Sequence, residues 1–335
     1  MLVSVLMPVY NGENFLKEAI ESILKQTYKF FEFIIINDGS TDKSEEIILS
    51  FNDSRIRYIK NDENIKLVAT LNKAISLAKG KYIVRMDADD VALPNRIEEQ
   101  VKFMEANPEV GVCGSFVEVL GGTEQGRIVC FETDHDAIQF KLFFSNYIHH
   151  PSVIIRKSIL LKHHLEYKNY LHAEDYKLWV DILQVSKLHI LPIVLIKYRV
   201  HENNISVLEI NQQATISKQI RKEQIDFLGV KYSSQQIEVY ENYLKGIKNF
   251  NVDEINLLFS FLKNLIDANN FKKIFNNKLF NKFFAQSAWD LSCMHTHLGF
   301  KIYLSFLNNN FNAYFPITKN QQLKFLIKSL FKYKK

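Results

Sequence analysis

The first hundred residues repeat one unit, in which a short apolar run is followed by a polar turn and an amphipathic segment. The first unit reads LVSVLMPVY, NGE and NFLKEAIESILKQT, and the apolar residues after the turn recur at helical spacing. Three further apolar runs, FFEFIIIND, RIRYIKN and KYIVRMD, alternate with helical segments. Because strands that alternate with helices pair in parallel, the repeat predicts an α/β domain with a mostly parallel sheet and helices on both faces.

The pattern changes beyond residue 110. The runs VGVCGSFVEV, GRIVCF and PSVIIRK have β character but lack regular helices between them, so we expect them to extend the first domain. From about residue 203 the sequence becomes helical, and it is then rich in Asn, Phe and Lys. We therefore predict an α/β domain over residues 1–205 and a helical C-terminal region over residues 206–335.

Charge is distributed unevenly along the 335 residues, although the formal net charge is only +5. From Phe271 to the last residue, the sequence has eleven lysines and one acidic residue, Asp290. The preceding 270 residues carry 31 basic and 36 acidic side chains. The basic C-terminal end therefore has different physical properties from the acidic front part.

The three cysteines, Cys113, Cys130 and Cys293, are widely spaced and form no C-x-x-C pair. This spacing argues against a disulfide framework or a zinc site and predicts a reducing, cytoplasmic compartment. No stretch reaches the ~18 apolar residues that a membrane-spanning helix needs. The N-terminus also lacks the basic and apolar regions of a signal peptide, so we expect a soluble or surface-bound protein.

Carboxylates cluster at the ends of two predicted strands. Asp87, Asp89 and Asp90 follow the fourth strand, and Asp38 follows the second. Because ligands bind beyond the carboxyl ends of parallel strands, we expect these side chains on one rim. Hard oxygen ligands suit Mg²⁺ or Mn²⁺, which also binds phosphate oxygens. The cluster therefore predicts a metal that carries a phosphorylated ligand; the alternative is that Asp89 or Asp90 only caps the helix beginning near Pro94.

Several longer segments resemble family 2 glycosyltransferases in their order and spacing. They are VSVLMPVYNGENFLKEAIESILKQT, IIINDGSTD, LNKAISLAKGKYIVRMDADDVALPNRIEEQ and HAEDYKLW. HPSV and YRVHENNIS are similar to a bacterial subgroup that builds O-antigen, lipooligosaccharide and capsule and includes β-1,3-galactosyltransferases. The resemblance covers about residues 2–205 and implies a GT-A fold, which is a Rossmann-like nucleotide-binding domain, for residues 1–205.

The resemblance also implies an activity, namely inverting transfer of one hexose from a UDP-sugar to a saccharide or lipid-linked saccharide acceptor. UDP-galactose is the favoured donor, followed by UDP-N-acetylglucosamine and UDP-glucose. Such a transfer requires positive charge to stabilise the leaving diphosphate, which a metal ion supplies. It also requires a base for the acceptor hydroxyl, worth typically ~10²–10⁴-fold in rate. We expect no nucleic-acid partner.

Residue roles follow from the resemblance in three groups. The nucleotide-sugar site would comprise Pro8, Val9, Tyr10, Asp38, Asn72, Arg85, Asp87 and Ala88. Asp89 and His201 would bind Mn²⁺ or Mg²⁺. Asp175 would be the catalytic base, and Glu174, His150 and Trp179 are candidates for the acceptor side. One position departs from the pattern, because many relatives have an arginine where this chain has Leu71; Arg85 and Lys66 are candidates to replace that charge.

Structural interpretations remain open for the acceptor-side residues. Glu174 and Asp175 also fit an acidic pair at a helix N-terminus, where the helix dipole favours negative charge. His150 precedes Pro151 and fits a structural turn, and Trp179 fits the protein core equally well.

Three other classes of protein compete with this interpretation. A sugar-nucleotide pyrophosphorylase would have a Gly-rich N-terminal loop with an arginine, and PVYNGENF has neither. A processive polysaccharide synthase would add a Q-x-x-R-W motif and membrane helices, and this sequence has neither. A non-catalytic nucleotide-sugar binding module would not need the set of Asp38, Asp87, Asp89 and Asp175, so we favour an enzyme that transfers a single sugar.

The C-terminal segment QLKFLIKSLFKYKK has the pattern of a basic amphipathic helix. One stripe consists of Lys324, Lys328, Lys332 and Lys335, and the neighbouring arc consists of Leu323, Leu326, Ile327, Leu330 and Tyr333. This pattern is typical of a helix that lies on an anionic membrane. We predict that residues 320–335 bind peripherally to the inner face of the cytoplasmic membrane; the alternative is an ordinary surface helix.

Overall fold

The computed structural model describes residues 1–202, 204 and 209–333. The chain divides into two compact units, Met1–Ser217 and Lys218–Lys335. The domain boundary that the sequence predicts between residues 205 and 206 lies outside the described residues, and so does Lys335 of the predicted basic stripe.

The first unit is built on a nine-stranded sheet. Its strands are β1 (Val3–Val9), β2 (Phe31–Asn37), β3 (Ile56–Lys60), β4 (Tyr82–Arg85), β5 (Val91–Ala92), β6 (Val110–Leu120), β7 (Ile128–Val129), β8 (Ile154–Arg156) and β9 (Lys187–Arg199). The order is β3-β2-β1-β4-β8-β6-β9-β5, with β7 beside β6. The predicted α/β fold is confirmed, and the first four strands pair in parallel as expected.

The second half of the sheet is mixed. Strand β8 runs antiparallel to both of its neighbours, β4 and β6, whereas β6 and β9 are parallel. Helices do separate these strands, at His135–Leu142 before β8 and at Lys157–Lys162 and Glu174–Ile182 before β9. The expectation that the runs beyond residue 110 have no regular helices between them is therefore wrong, and it is the strand directions that change. The sheet as a whole is therefore less parallel than the front part of the sequence suggests.

Helices accompany the sheet and make up the C-terminal part of the chain. They are α1 (Leu16–Leu24), α2 (Ser44–Leu49), α3 (Leu67–Leu77), α4 (Arg96–Ala106), α5 (His135–Leu142), α6 (Lys157–Lys162), α7 (Glu174–Ile182), α8 (Ile210–Leu228), α9 (Ser234–Leu244), α10 (Val252–Lys272), α11 (Asn277–Met294), α12 (Phe300–Asn308) and α13 (Lys319–Leu330). The main core of the first unit contains Val5, Ile20, Phe33, Val84 and Ile97, all fully buried. Each such side chain contributes roughly 1.5–3 kcal/mol through burial, which fixes the strand ends that carry the polar residues.

The second unit is helical, as the sequence predicts, and its helices begin at recognisable capping residues. The side chains of Ser233, Asn251 and Thr318 accept backbone hydrogen bonds at the start of α9, α10 and α13. The third residue of each helix completes a capping box. Among the described residues, no helix combines the length and apolar character that would let it cross a membrane.

Helix α13 packs on the second unit through a different arc from the one that the sequence suggests. Phe325 and Ser329 are buried, and the Phe325 ring contacts Trp289, with ring centroids 5.3 Å apart. By contrast, Leu323 and Leu330 are 55% and 56% exposed. The apolar stripe of α13 is therefore left uncovered within the part of the chain that the structure describes.

Candidate active site

The strand ends that carry the predicted site residues meet at one edge of the sheet. Val9 at the end of β1 pairs with Asn37 at the end of β2, and Leu6 of β1 pairs with Arg85 at the end of β4. The segments that begin at Tyr10, Asp38 and Met86 consequently start side by side. This is the edge where parallel α/β sheets bind ligands.

The loops after β1 and β2 are tied to each other by hydrogen bonds. The Asn11 N–H donates to Ser40 Oγ at 3.0 Å, and the Thr41 N–H donates to Asn11 Oδ1 at 2.8 Å. The Gly12 N–H donates to Ser44 Oγ at 2.8 Å. Asn11 has a φ of 51°, a left-handed conformation that asparagine tolerates better than most residues. The turn residues of NGE and GSTD therefore form one rim.

Asp38 is buried at this rim and keeps one oxygen for other partners. Its Oδ1 accepts hydrogen bonds from Asn61 Nδ2 at 2.7 Å and from the Ile65 N–H at 3.0 Å. Within the described residues, no hydrogen bond reaches its Oδ2. Beside it, Pro8 is half-buried, Val9 is buried and Tyr10 is 52% exposed, so the Tyr10 ring is available to a ligand.

Arg85 is the last residue of β4, at the same edge of the sheet. It is almost fully buried, and its Nη1 forms an ion pair with Asp87 Oδ1. Its Nε has no hydrogen-bond partner among the described residues. Leu71 is also buried, in α3, whereas Lys66 is exposed at the residue before α3. Of the two candidates for the missing arginine, Arg85 is thus the one that contacts a predicted donor-site residue.

Asp87, Asp89 and Asp90 form an acidic cluster. Each offers an oxygen, and these oxygens lie within 4.8 Å of one another. Asp90 is buried, and its Oδ1 accepts the Arg199 N–H at 2.7 Å. Burial and repulsion from Asp87 and Asp89 raise the pKa of Asp90 well above its usual value. Burial likewise raises the pKa of Asp87, and Arg85 opposes that rise. Asp87 and Asp89, unlike Asp90, are partly exposed to solvent.

His201 joins this cluster from the far end of β9. Its Nε2 lies 3.0 Å from Asp89 Oδ2. Arg199 supports the approach, because its Nε donates to the Asp89 carbonyl oxygen at 2.7 Å. The Phe15 ring packs under both residues, with the guanidinium carbon 4.5 Å and the imidazole centroid 5.1 Å from its centre. Carboxylate oxygens with one imidazole are a donor set that fits Mg²⁺ or Mn²⁺.

A second pair of carboxylates lies at the first turn of α7. Asp175 is buried, and its Oδ1 accepts the Tyr176 N–H at 2.7 Å. Its Oδ2 accepts from Asn146 Nδ2, also at 2.7 Å. Burial raises the pKa of Asp175 to about 6. Burial and the neighbouring Asp175 raise the pKa of Glu174 to about 7.

The charge of one guanidinium acts on both the strand-end carboxylates and the pair on α7. Arg85 is among the charges that oppose the rise in pKa of Asp87, Glu174 and Asp175. The strand-end cluster, which contacts Arg85 through Asp87, and the first turn of α7 are therefore both within reach of the charge of the same buried cation. A site of this kind can hold an anionic ligand next to a carboxylate with a pKa close to neutrality, as proton transfer requires.

His150 and Asn72 both contact Tyr167 on the wall of this site. His150 Nε2 lies 2.7 Å from the Tyr167 hydroxyl oxygen. Asn72 binds the Tyr167 backbone twice, donating to its carbonyl oxygen at 2.8 Å and accepting its N–H at 3.0 Å. Burial, followed by the charge of Arg85, lowers the pKa of His150 well below its usual value. The imidazole is therefore neutral, and the Asn72 amide holds the wall in place.

Trp179 is fully buried on α7. Its ring meets the His150 imidazole edge-on, with centroids 5.9 Å apart. An indole without exposed surface offers no face on which a sugar could stack. The structure thus corrects the prediction of an acceptor platform and favours the core-packing alternative for Trp179.

Two residues of this arrangement were not singled out from the sequence. Arg199 lies in the YRVHENNIS segment, so its position beside His201 gave a signal, but its contacts with Asp89 and Asp90 depend on long-range packing. Asn146 lies in a loop between α5 and a 3-10 turn at His150–Ser152. Its contact with Asp175 spans 29 residues, and no local pattern indicates it.

Comparison with known proteins agrees with this architecture. Residues 4–163 match the family described as "Glycosyl transferase family 2". An uncharacterized glycosyltransferase from Haemophilus influenzae is 38% identical over 240 residues, which cover 68% of this chain and 74% of the relative. The chain belongs to glycosyl transferase family 2. More particularly, it is 30% identical over 207 residues to "UDP-Glc:alpha-D-GlcNAc-diphosphoundecaprenol beta-1,3-glucosyltransferase WfgD" of Escherichia coli, covering 61% of this chain and 79% of that relative.

Solved structures support the fold. The S. aureus TarS 1–349 structure in complex with UDP-GlcNAc superposes with a TM-score of 0.57 at 16% identity and covers 94% of this chain and 90% of that chain. The mannosyltransferase PcManGT from Pyrobaculum calidifontis, in complex with GDP-Man and Mn²⁺, gives a TM-score of 0.53 at 16% identity, with 98% and 85% coverage. The expected GT-A fold and the helical C-terminal region are confirmed.

Proposed function

We propose that this glycosyltransferase is an inverting, metal-dependent enzyme that transfers one hexose from a UDP-sugar to a saccharide hydroxyl in the synthesis of a bacterial surface glycan. The observation that carries the proposal is that Arg85 forms an ion pair with Asp87 and that its charge also acts on the buried Asp175. It supports a donor-binding edge next to a buried candidate base. Inverting enzymes need both on opposite faces of the sugar.

The donor side uses the rim after β1 and β2. Asp38 Oδ2 accepts the uracil N3–H, since its Oδ1 is already engaged by Asn61 and Ile65. Pro8, Val9 and Tyr10 line the base. Asp87 and Ala88 bind the ribose and donor sugar, and Arg85 contributes the positive charge that many relatives supply from the position of Leu71.

The metal site consists of Asp89 and His201, which lie together at the end of the acidic cluster. A bound Mn²⁺ or Mg²⁺ supplies positive charge to the leaving diphosphate. Asp90 plays a structural part here, because it is buried and holds the Arg199 N–H. Arg199 and Phe15 hold the His201 segment against Asp89.

The reaction requires one base, and Asp175 takes that role. Its carboxylate accepts the proton of the acceptor hydroxyl while the hydroxyl oxygen forms a bond to the anomeric carbon. The bond between that carbon and the diphosphate oxygen breaks, and its electron pair leaves with UDP. Direct displacement from the opposite face inverts the anomeric configuration. Glu174 is the less suitable base because its pKa of about 7 leaves a larger share of it protonated at neutral pH than the pKa of about 6 leaves of Asp175.

UDP-galactose is the donor that the subgroup resemblance favours, and UDP-glucose and UDP-N-acetylglucosamine are the next candidates. The name of WfgD includes UDP-Glc, and TarS was solved in complex with UDP-GlcNAc, so both support a UDP-hexose donor. The name of WfgD also includes a diphosphoundecaprenol acceptor, which supports a lipid-linked saccharide as acceptor.

Peripheral membrane binding through α13 forms part of the proposal. Its exposed apolar side chains, Leu323, Ile327 and Leu330, lie beside the exposed Lys324 and Lys328. An apolar stripe flanked by lysines matches an anionic lipid surface. At such a surface, on the inner face of the cytoplasmic membrane, the enzyme would reach a lipid-linked acceptor.

A screen of UDP-sugars with Mn²⁺ and saccharide acceptors tests the proposed activity, and NMR of the product reports the anomeric configuration. We expect transfer from one UDP-hexose with inversion. Binding of UDP-sugars without transfer or hydrolysis would instead support a binding module. Formation of UDP-sugar from UTP and a sugar 1-phosphate would support a pyrophosphorylase.

A further inference from the structure

We propose that Asn146 is a positioning residue for the catalytic base, and that its side-chain amide orients the Asp175 carboxylate and stabilises its ionised form. The inference rests on the proposed role of Asp175. It follows from a hydrogen bond between two segments, since Asn146 Nδ2 donates to Asp175 Oδ2 at 2.7 Å from a loop 29 residues upstream.

The amide complements a hydrogen bond that α7 provides for itself. Asp175 Oδ1 accepts the Tyr176 N–H from the first turn of the same helix. Asn146 is the described side chain that holds the other oxygen. With one donor on each oxygen, the carboxylate plane is fixed, and each oxygen keeps a second lone pair for a proton. Among the described residues, the other hydrogen bonds to this carboxylate come from backbone N–H groups of α7, so Asn146 supplies the restraint from outside the helix.

The loop that carries Asn146 is itself anchored. At its start, the Tyr176 hydroxyl of α7 donates to the Leu142 carbonyl oxygen at 2.7 Å. In the middle, Tyr147 accepts the Glu132 N–H at 2.8 Å through its hydroxyl oxygen. At its end, His150 contacts Tyr167. Asn146 itself is exposed between these anchors, so its amide reaches the buried Asp175 without being part of the core.

Asn146 also distinguishes the two adjacent carboxylates. Arg85 from β4 lowers the pKa of both Glu174 and Asp175, and therefore does not favour either strongly. Asp87 raises the pKa of Glu174. The hydrogen bond from Asn146 lowers the pKa of Asp175 alone. When the pair holds one proton, this hydrogen bond favours the ionised form of Asp175, the member proposed to accept the acceptor proton.

The remaining groups around this pair do not replace that effect. His150, on the 3-10 turn, is neutral because burial and Arg85 lower its pKa. Tyr167 is buried, and burial raises the pKa of its hydroxyl, so it too stays neutral. Arg85 and Asp87 are thus the charged neighbours from other elements whose effects on the α7 carboxylates are largest.

The test compares pH profiles of kcat for Asn146→Leu, Asn146→Asp and the loop control Ser145→Ala. Leucine has the size of asparagine but no donor, so we expect the acid limb of kcat to move up by roughly one pH unit. Aspartate places a second carboxylate against Asp175, so the acid limb of kcat should move up further than in Asn146→Leu. Ser145→Ala and wild type should share one profile, and the KM for the UDP-sugar should stay unchanged in all four proteins.

The proposal and the assignment of the base fail in different ways. If Asp175→Asn abolishes transfer but neither Asn146 variant moves the acid limb, Asn146 does not position the base. An increase in acceptor KM with an unmoved limb would make Asn146 an acceptor contact instead. Full transfer by Asp175→Asn would reject Asp175 as the base itself. UDP affinity and thermal unfolding confirm that each variant is folded, and carbon-13 NMR titration of the Asp175 carboxyl gives the same shift independently of turnover.

Discussion

His201 Nε2 lies 3.0 Å from Asp89 Oδ2, although 112 residues separate the two in the chain. The contact joins the end of β9 to the acidic cluster that follows β4. Arg199 reinforces it through both the Asp89 carbonyl oxygen and the Asp90 carboxylate. His201, just after β9, is therefore part of the proposed metal site, and it and Asp89 would hold a metal from two segments that are far apart in the chain.

Removal of divalent metal should abolish transfer. Chelation with EDTA is expected to stop turnover, and Mn²⁺ or Mg²⁺ should restore it, because a metal would stabilise the negative charge that develops on the leaving diphosphate. His201→Ala should raise the Mn²⁺ concentration for half-maximal activity at least about tenfold. His163→Ala, in the loop after α6, serves as a histidine control and should behave as wild type. Full activity in chelator would contradict the metal assignment.

Asp175→Asn should lose most transfer while UDP binding is retained. The substitution keeps size and hydrogen bonding but removes the proton acceptor, so kcat should fall by roughly 10²–10⁴-fold. Isothermal titration calorimetry checks UDP affinity. Asp181→Asn is the matched control, since Asp181 lies on the same helix but pairs with Lys168 and Lys177. Lost UDP binding in Asp175→Asn would make Asp175 a donor ligand or a structural residue.

The pH dependence of the wild-type enzyme follows from the same carboxylate. Burial raises the pKa of Asp175 to about 6, and a base must be ionised to accept a proton. Activity should therefore be fully present above that pKa and should fall as the pH decreases through about 6. A profile of kcat under saturating substrates measures this limb. A wild-type kcat that stays constant down to pH 4 would contradict Asp175 as the base.

The sequence predicted those parts of the fold and site that depend on local patterns of apolar and polar residues. Periodicity located β1 to β4 and the helices between them, and strand-end placement brought Asp38 and Asp87 to one edge. The positions of β8 and β9 next to β4 and β6 depend on pairings between distant segments, which periodicity does not encode. For the same reason Asn146 was missed, and Trp179 could not be assigned to the core before its surroundings were known.

Asp38→Ala should weaken UDP binding itself. Loss of a carboxylate that accepts the uracil N3–H removes a hydrogen bond to a charged group, worth about 1.5–3 kcal/mol, or roughly 10–100-fold in affinity. Asp62→Ala is the matched control, because Asp62 follows β3 at the same edge but is exposed. Calorimetry with UDP compares the two. Equal affinities in both variants would exclude contact between Asp38 and uracil.

Arg85→Lys tests which cation replaces the missing arginine. Lysine keeps the charge but not the planar fork of donors, so donor affinity should fall by about tenfold or more. Lys66→Ala removes the other candidate and should leave the affinity unchanged. Fluorescence or calorimetric titration with a UDP-sugar compares the two variants. The reverse order of effects would assign the diphosphate contact to Lys66.

Helix α13 should bind anionic membranes through its uncovered stripe. Replacing Ile327 and Leu330 by serine removes apolar surface that is exposed, so folding should be preserved while liposome binding falls. Replacing Lys324 and Lys328 by glutamine should cost about 1 kcal/mol per lysine near the surface and weaken the salt dependence of binding.

Leu49→Ser provides the control for an exposed leucine in the first unit. Co-sedimentation with vesicles that contain anionic lipid measures binding, and transfer to a soluble acceptor measures the intact active site. We expect removal of residues 320–335 to abolish sedimentation and to leave soluble transfer nearly unchanged. Because Phe325 packs against Trp289 in the second unit, the point variants are the more specific test. Salt-sensitive liposome binding that persists in both pairs of variants would show that another surface meets the membrane.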